Sequence, residues 1–191
     1  MVLTRRDLLT KGVTGLGVLL ADCSGLQVRE ERPLQPKIER LGTNVLEIET
    51  YGYDVALESY LKQNKISVVE VGAYWCSPCR VIQWSIKQEG AKFTDLDFIL
   101  MDVSYPVQEA GQRECIYSPA YERYVIHNLP KNIEPSFPIF LVYQNKNFKG
   151  MFDYSKWTTH EKNMDYVVRS AREMAMPPRE QKSKIRFRRM N

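Results

Sequence analysis

Two cysteines three residues apart, in Trp75-Cys76-Ser77-Pro78-Cys79, are the residues of this chain best suited to chemistry. On a helix, positions i and i+3 share a face, which brings two sulfurs close enough to bridge. The pair directly follows the β-branched run Val68 to Val71 and opens a helical pattern, so Cys76 is expected at a helix N-terminus. There, unpaired N–H groups and the positive end of the helix dipole favour thiolate over thiol. Cys76 is therefore the expected nucleophile. Cys79 lies a turn inward, is expected to be less accessible, and is placed to attack a mixed disulfide formed at Cys76. Pro78 suits the first helical turn, where a missing N–H is harmless. The chemistry so indicated is thiol–disulfide exchange. The Cys76–Cys79 disulfide is itself the redox group, and no other cofactor or metal is implied.

The elements that must position this pair follow from periodicity. Asn44 to Thr50 alternates as a first strand, and Ile66 to Val71 and Phe98 to Val103 read as buried strands. Asp54 to Asn64 carries Val55, Leu57, Tyr60 and Leu61 near helical spacing, with Asp54 as N-cap. Cys76 to about Gly90 reads as a helix with Val81, Ile82, Ser85 and Ile86 on one side and Gly90 as its C-cap. Residues 104–136 read as irregular and polar, with one helical piece from Pro119 to Ile126. Ile139 to Tyr143 is a third central strand, Gln144 to Asn147 a polar turn, and Phe148 to Phe152 an edge strand. Thr158 with Glu161 forms a capping-box pattern for a helix to about Ala175, which Pro177-Pro178 ends. Strands and helices alternating in this order make an α/β domain with a late hairpin.

With these elements in place, Val69-Glu70-Val71-Gly72-Ala73-Tyr74-Trp75-Cys76-Ser77-Pro78-Cys79-Arg80 resembles the active-site segment of the thioredoxin-like thiol–disulfide oxidoreductases. Ser136-Phe137-Pro138-Ile139-Phe140-Leu141-Val142-Tyr143, with its turn and Phe148-Lys149-Gly150, is similar to the family's second motif. The resemblance covers about residues 44–176. It implies a thioredoxin-like α/β fold, a central mixed β-sheet flanked by helices. The 104–136 segment is an insertion before the strand that a cis-proline opens, longer than the family's by about twenty residues.

Pro138 matches that cis-proline. A cis bond there would turn the Phe137 backbone toward the cysteines for edge-on pairing with a substrate peptide, and would crowd the sulfurs against metal. The alternative is a proline that starts a strand in trans. Trp75 precedes the nucleophile as in the family, and either shapes the contact surface or simply packs. Glu70 stands where the family usually has Asp. A carboxylate beneath a dithiol is desolvated, its proton affinity rises, and it can take the Cys79 proton; the alternative is a side chain in solvent. Pro78 resembles the reducing branch, which implies a reductase of protein disulfides; an exported reductase would need electrons from a membrane-bound donor. An oxidase or isomerase, a redox-inactive binding or assembly module, and a metal chaperone are the other readings on this fold.

Residues 1–23 read as an export signal. A basic stretch with paired Arg5-Arg6 resembles a twin-arginine signal, and a short apolar run follows it. Leu20-Ala21-Asp22-Cys23 resembles a lipobox, with Asp22 where a small residue is usual; Cys23 would be the lipidated residue and membrane tether. Together these place the protein in a bacterial periplasm or cell envelope. Residues 24–43 read as a linker, 44–176 as the domain, and 177–191 as a solvated basic tail with anionic lipid as the alternative partner. The apolar run Gly12 to Ala21 is short of the ~20 residues a spanning helix needs.

The 191 residues carry 27 Lys and Arg against 23 Asp and Glu, a net charge of +4. That mild balance, with no stacking-aromatic pattern, points away from nucleic acid. Cys115 reads as an inert buried thiol, with a redox partnership to the pair as the alternative. Zinc on Cys76, Cys79, Cys115 and His127 is disfavoured by the wide spacing. Tyr117, Tyr121 and Tyr124 fall at helical intervals and read as a core-facing stripe, or else as a partner-binding face.

Overall fold

The structure is a computed structural model, and it describes residues 35–109, 112–130, 136–154, 160–176 and 185–186. The expected export signal, the Cys23 site and most of the basic tail lie outside the described residues.

Among the described residues, seven strands form one mixed sheet. In chain order the elements are β1 (Lys37–Arg40), β2 (Val45–Glu49), β3 (Ile66–Gly72), α1 (Ser77–Glu89), β4 (Leu96–Asp102), β5 (Ser104–Glu109), β6 (Gln112–Tyr117), α2 (Pro119–Tyr124), β7 (Ile139–Gln144), β8 (Asn147–Asp153), α3 (His160–Ala175) and β9 (Ile185–Arg186). The sheet runs β1-β2-β4-β3-β7-β8-β9, while β5 and β6 make a separate antiparallel hairpin. Strands β2, β4 and β3 are mutually parallel, and β7 joins β3 antiparallel.

The central strands are apolar on both faces because both faces are covered. Along β3, Val69 and Val71 face one core with Leu57, Leu61, Ala120 and Tyr124. Val68 faces the other, with Ile82 and Ile86 of α1 and Val167, Val168 and Ala171 of α3. By the two-residue period of a strand, Glu70 lies on the Val68 side, under α1. The β7–β8 turn is a two-residue loop with positive φ at Asn145 (53°) and Lys146 (66°), the conformation that matches the twist of a hairpin.

Four expectations are corrected. Residues 37–40 are not linker but an exposed edge strand, registered on β2 with Lys37 beside Glu49. Asp54 to Asn64 forms only a 3-10 turn, Leu57–Ser59. Its apolar spacing serves burial of Val55, Leu57 and Leu61 in an irregular segment. Asp54 pairs with Arg123 (2.7 Å) instead of capping, and Leu57 N–H donates to the Tyr124 hydroxyl (3.1 Å). The start of 104–136 is the β5–β6 hairpin rather than irregular chain. In the tail, Ile185 and Arg186 lie parallel to Met151 and Phe152 as an edge strand. The capping box at Thr158 and Glu161 falls outside the described side chains.

Candidate active site

Cys76 is the N-cap of α1, its Sγ accepting from the Cys79 N–H at 3.0 Å, and Pro78 sits in the first turn. That hydrogen bond places a sulfur where the helix offers unsatisfied donors. Cys76 and Cys79 are joined in a disulfide, with Cα atoms 5.3 Å apart. Both residues are buried, Cys76 at 2% exposure and Cys79 at 1%. The expected contrast in access between them is therefore not present in the disulfide form. The physical reason is that Phe137 packs against Ala73, Cys76 and Cys79 together. The Phe137–Pro138 peptide bond is cis.

Beneath the bridge, Glu70 is fully buried on β3, which removes the solvent-facing alternative. Its pKa is raised to about 8, above all by burial; the hydrogen bond from Gln83 works against that rise and the charge of Asp102 adds to it. Gln83 Nε2 donates to Oε2 at 2.8 Å. The other oxygen, Oε1, has no hydrogen-bond partner among the described residues. Gly72 explains how it comes close to the cysteines. A Cβ at Gly72 would meet Gln83 Nε2 at 2.9 Å, Glu70 Oε1 at 3.0 Å and Cys79 Cβ at 3.2 Å. The carboxyl and the Cys79 side chain thus flank the same space, which a glycine leaves open.

Sequence reasoning missed a second carboxylate. Asp102 ends β4 directly opposite Gly72, and burial raises its pKa to about 6. Ser104 donates to it through both N–H (2.9 Å) and Oγ (3.1 Å), and Ser104 Oγ accepts from the Tyr74 N–H (2.7 Å). This chain fixes the backbone that enters the cysteine motif. The available signal was an Asp closing the apolar run Phe98 to Met101, on the strand next to the one that carries Glu70.

Around the bridge stand Trp75, Tyr117, Tyr121 and Phe137. Trp75 is 49% exposed, its ring edge-on to Phe137 at 5.5 Å, and its Nε1 donates to the Tyr117 hydroxyl at 3.3 Å. Tyr117 stacks on Tyr121 at 5.0 Å, and Tyr121 lies 5.6 Å from Phe137. The tyrosines expected to form one helical stripe thus part company. Tyr117 ends β6, Tyr121 of α2 turns to Phe137, and Tyr124 enters the core. Cys115 is a half-buried free thiol, its pKa raised by desolvation. Among the described residues, no group of three or more His, Cys, Asp or Glu is placed to hold a metal ion, and no helix is long and apolar enough to cross a membrane. His127, offered above as a zinc ligand, is exposed.

No protein-family model matches the chain. It is 45% identical over 42 residues to thioredoxin H2 of Arabidopsis thaliana, spanning 22% of this chain and 32% of that protein. To thioredoxin H7 of the same plant it is 27% identical over 86 residues, spanning 40% of this chain and 67% of the relative. The chain thus spans about a third of the length of the first of these relatives. Among solved structures it is similar to Schistosoma mansoni thioredoxin, with 23% identity, a TM-score of 0.43, and coverage of 66% of this chain and 94% of that one. Fasciola hepatica thioredoxin gives 18% identity and a TM-score of 0.38, with 56% of this chain and 82% of that one covered. The strand order, the mixed directions, the flanking helices and the cysteine pair at the start of α1 are the thioredoxin fold, of the α/β class, that the motifs implied.

Proposed function

We propose that this chain is a thiol–disulfide oxidoreductase in which Cys76 attacks and Cys79 resolves. The observation that carries the reading is the Cys76–Cys79 disulfide at the N-terminus of α1, with the unpartnered Oε1 of Glu70 beside the Cys79 side chain. In the reduced protein, the Cys76 thiolate attacks one sulfur of a substrate disulfide. The first substrate sulfur leaves as a thiolate and takes a proton. Glu70, once ionised, accepts the Cys79 proton, and the Cys79 thiolate attacks Cys76, releasing the second substrate thiol. The substrate gains two electrons and two protons; the protein loses both and closes its disulfide. The pair carries the electrons, so no other cofactor takes part.

Because the carboxyl releases its proton near 8, the resolving step quickens as pH rises through that value. Trp75, Phe137 and the Pro138 strand opening form the surface on which a substrate peptide lies. Pro78 favours the reducing direction. The Arg5-Arg6 signal and the Cys23 lipobox pattern support export to a bacterial envelope, a lipid tether at Cys23 and a membrane-bound electron donor.

The test is a Cys79→Ser trap. Mixed disulfides with client proteins should accumulate on Cys76 and vanish on reduction. A variant that captures nothing from oxidised envelope extracts contradicts the reading.

A further inference from the structure

Exchange at Cys76 requires neither Tyr117 nor Tyr121, yet both belong to a closed circuit of aromatic side chains beside it. Trp75 donates to Tyr117, Tyr117 stacks on Tyr121, Tyr121 contacts Phe137, and Phe137 returns edge-on to Trp75. Two of the four come from the 104–136 segment. The three stretches that supply the circuit and the cysteines are 73–79, 115–121 and 136–138. They contain no charged residue, in a chain that is 26% charged. The residues Trp75 and Tyr117 are exposed at 49% and 39%.

We propose that this uncharged frame selects the substrate: the protein acts on disulfides whose cysteine is flanked by an aromatic residue, and Tyr117 and Tyr121 determine that specificity. The inference rests on the thiol–disulfide reading above. A substrate sulfur that reaches Cys76 comes alongside Trp75, its neighbour in the chain, and Phe137, which packs on it. The residues flanking the substrate cysteine lie only ~3.8 Å further along the backbone, so they meet the same rings. An aromatic flank gains edge-to-face contact there. A charged flank is desolvated with no counter-charge in any of the three stretches.

The test uses pre-reduced full-length protein and two blocked pentapeptides, each as its symmetric disulfide. One has phenylalanine and the other aspartate on both sides of the cysteine. Rates of protein oxidation are read by acid quench and alkylation, each normalised to the same peptide's rate with dithiothreitol. The wild-type protein should prefer the phenylalanine peptide by about tenfold, the scale of a single aromatic pair. Tyr117→Ala and Tyr121→Ala should reduce that ratio to about twofold or less, whereas Tyr117→Phe, which keeps the ring, should retain it. Equal normalised rates in the wild type overturn the inference, as does a cooperatively folded Tyr117→Ala variant that keeps the full ratio. Wild-type protein that reacts with 2-hydroxyethyl disulfide yet treats both peptides alike loses only the specificity. Protein that reacts with none of the three loses the thiol–disulfide reading as well.

Discussion

Below the Cys76–Cys79 bridge lies Glu70, sealed between β3 and α1 with one oxygen unpartnered; around it stand Trp75 and Tyr117, both partly exposed. The two regions follow different physics. In the floor, burial raises the proton affinity of Glu70 and Asp102, and in the proposed mechanism the floor governs when protons move. That arrangement opposes stability, because an ionisable group held away from water destabilises the fold once it ionises. In the frame, exposed rings add little to stability and are free to meet a partner. As proposed, chemistry and selection reside in separate parts of one site, and substitutions should separate them.

The largest effect is expected where the two regions meet. Cys76→Ser should abolish oxidation of the protein by any disulfide, peptide or small molecule, as read by alkylation and mass. Residual two-electron exchange would mean that neither floor nor frame serves Cys76.

Next comes Glu70→Gln, which touches the floor alone. The carboxyl ionises near 4.5 when unfolded and near 8 when folded. Between those values the folded state holds a proton that the unfolded state has released, so stability falls as pH rises from 4.5 through about 8 and is level above. Glu70→Gln removes that fall. The variant should exceed the wild type at pH 9 by on the order of 4 kcal/mol in urea denaturation, and by little at pH 4. Asp102, raised from 3.8 to about 6, leaves a smaller fall of the same sign in both proteins. The resolving step of Glu70→Gln should also lose its rise near pH 8. Equal stability profiles for the two proteins would mean that the floor is not the titrating element.

Gly72→Ala places a methyl group within 3.2 Å of Gln83 Nε2, Glu70 Oε1 and Cys79 Cβ. It should destabilise by about 2 kcal/mol in thermal or urea melts, the usual effect of overpacking. The smallest change in stability is expected from Tyr117→Ala, within ~1 kcal/mol of the wild type, although it removes substrate preference. If Tyr117→Ala matched Gly72→Ala in stability, the frame would be core and the contrast between the regions would fail.

The same contrast governs what the sequence disclosed. Of the floor, Glu70 and the cysteine pair were legible because their signals are local, whereas Asp102, on the neighbouring strand, was missed. An apolar run with a single acid, a cysteine pair and a helical pattern lie contiguously from Ile66 to Gly90. The frame was not legible, because its parts come from three separated stretches and one of them defied its pattern. Residues 104–109 hold Pro106, Gln108 and Glu109, a composition that argues against a strand. They nevertheless form β5, a strand paired only with β6 and outside the main sheet. Tyr117, Tyr121 and Tyr124 have helical spacing, but Ser118-Pro119 divides strand from helix and turns the three rings to different neighbours. The irregular segment at 54–64 misled for a related reason: spacing that suits a helix also suits a loop that drops Val55, Leu57 and Leu61 into the core.

The central claim is that Cys76 and Cys79 open and close as a reversible couple in which Cys115 takes no part. It is tested most directly by equilibrating the protein across dithiothreitol ratios, quenching in acid, alkylating and weighing it. The account predicts one two-electron transition in which Cys76 and Cys79 gain their labels together, and a Cys115 label independent of the ratio. A bridge that never reopens under native conditions, or a transition that includes Cys115, would contradict it.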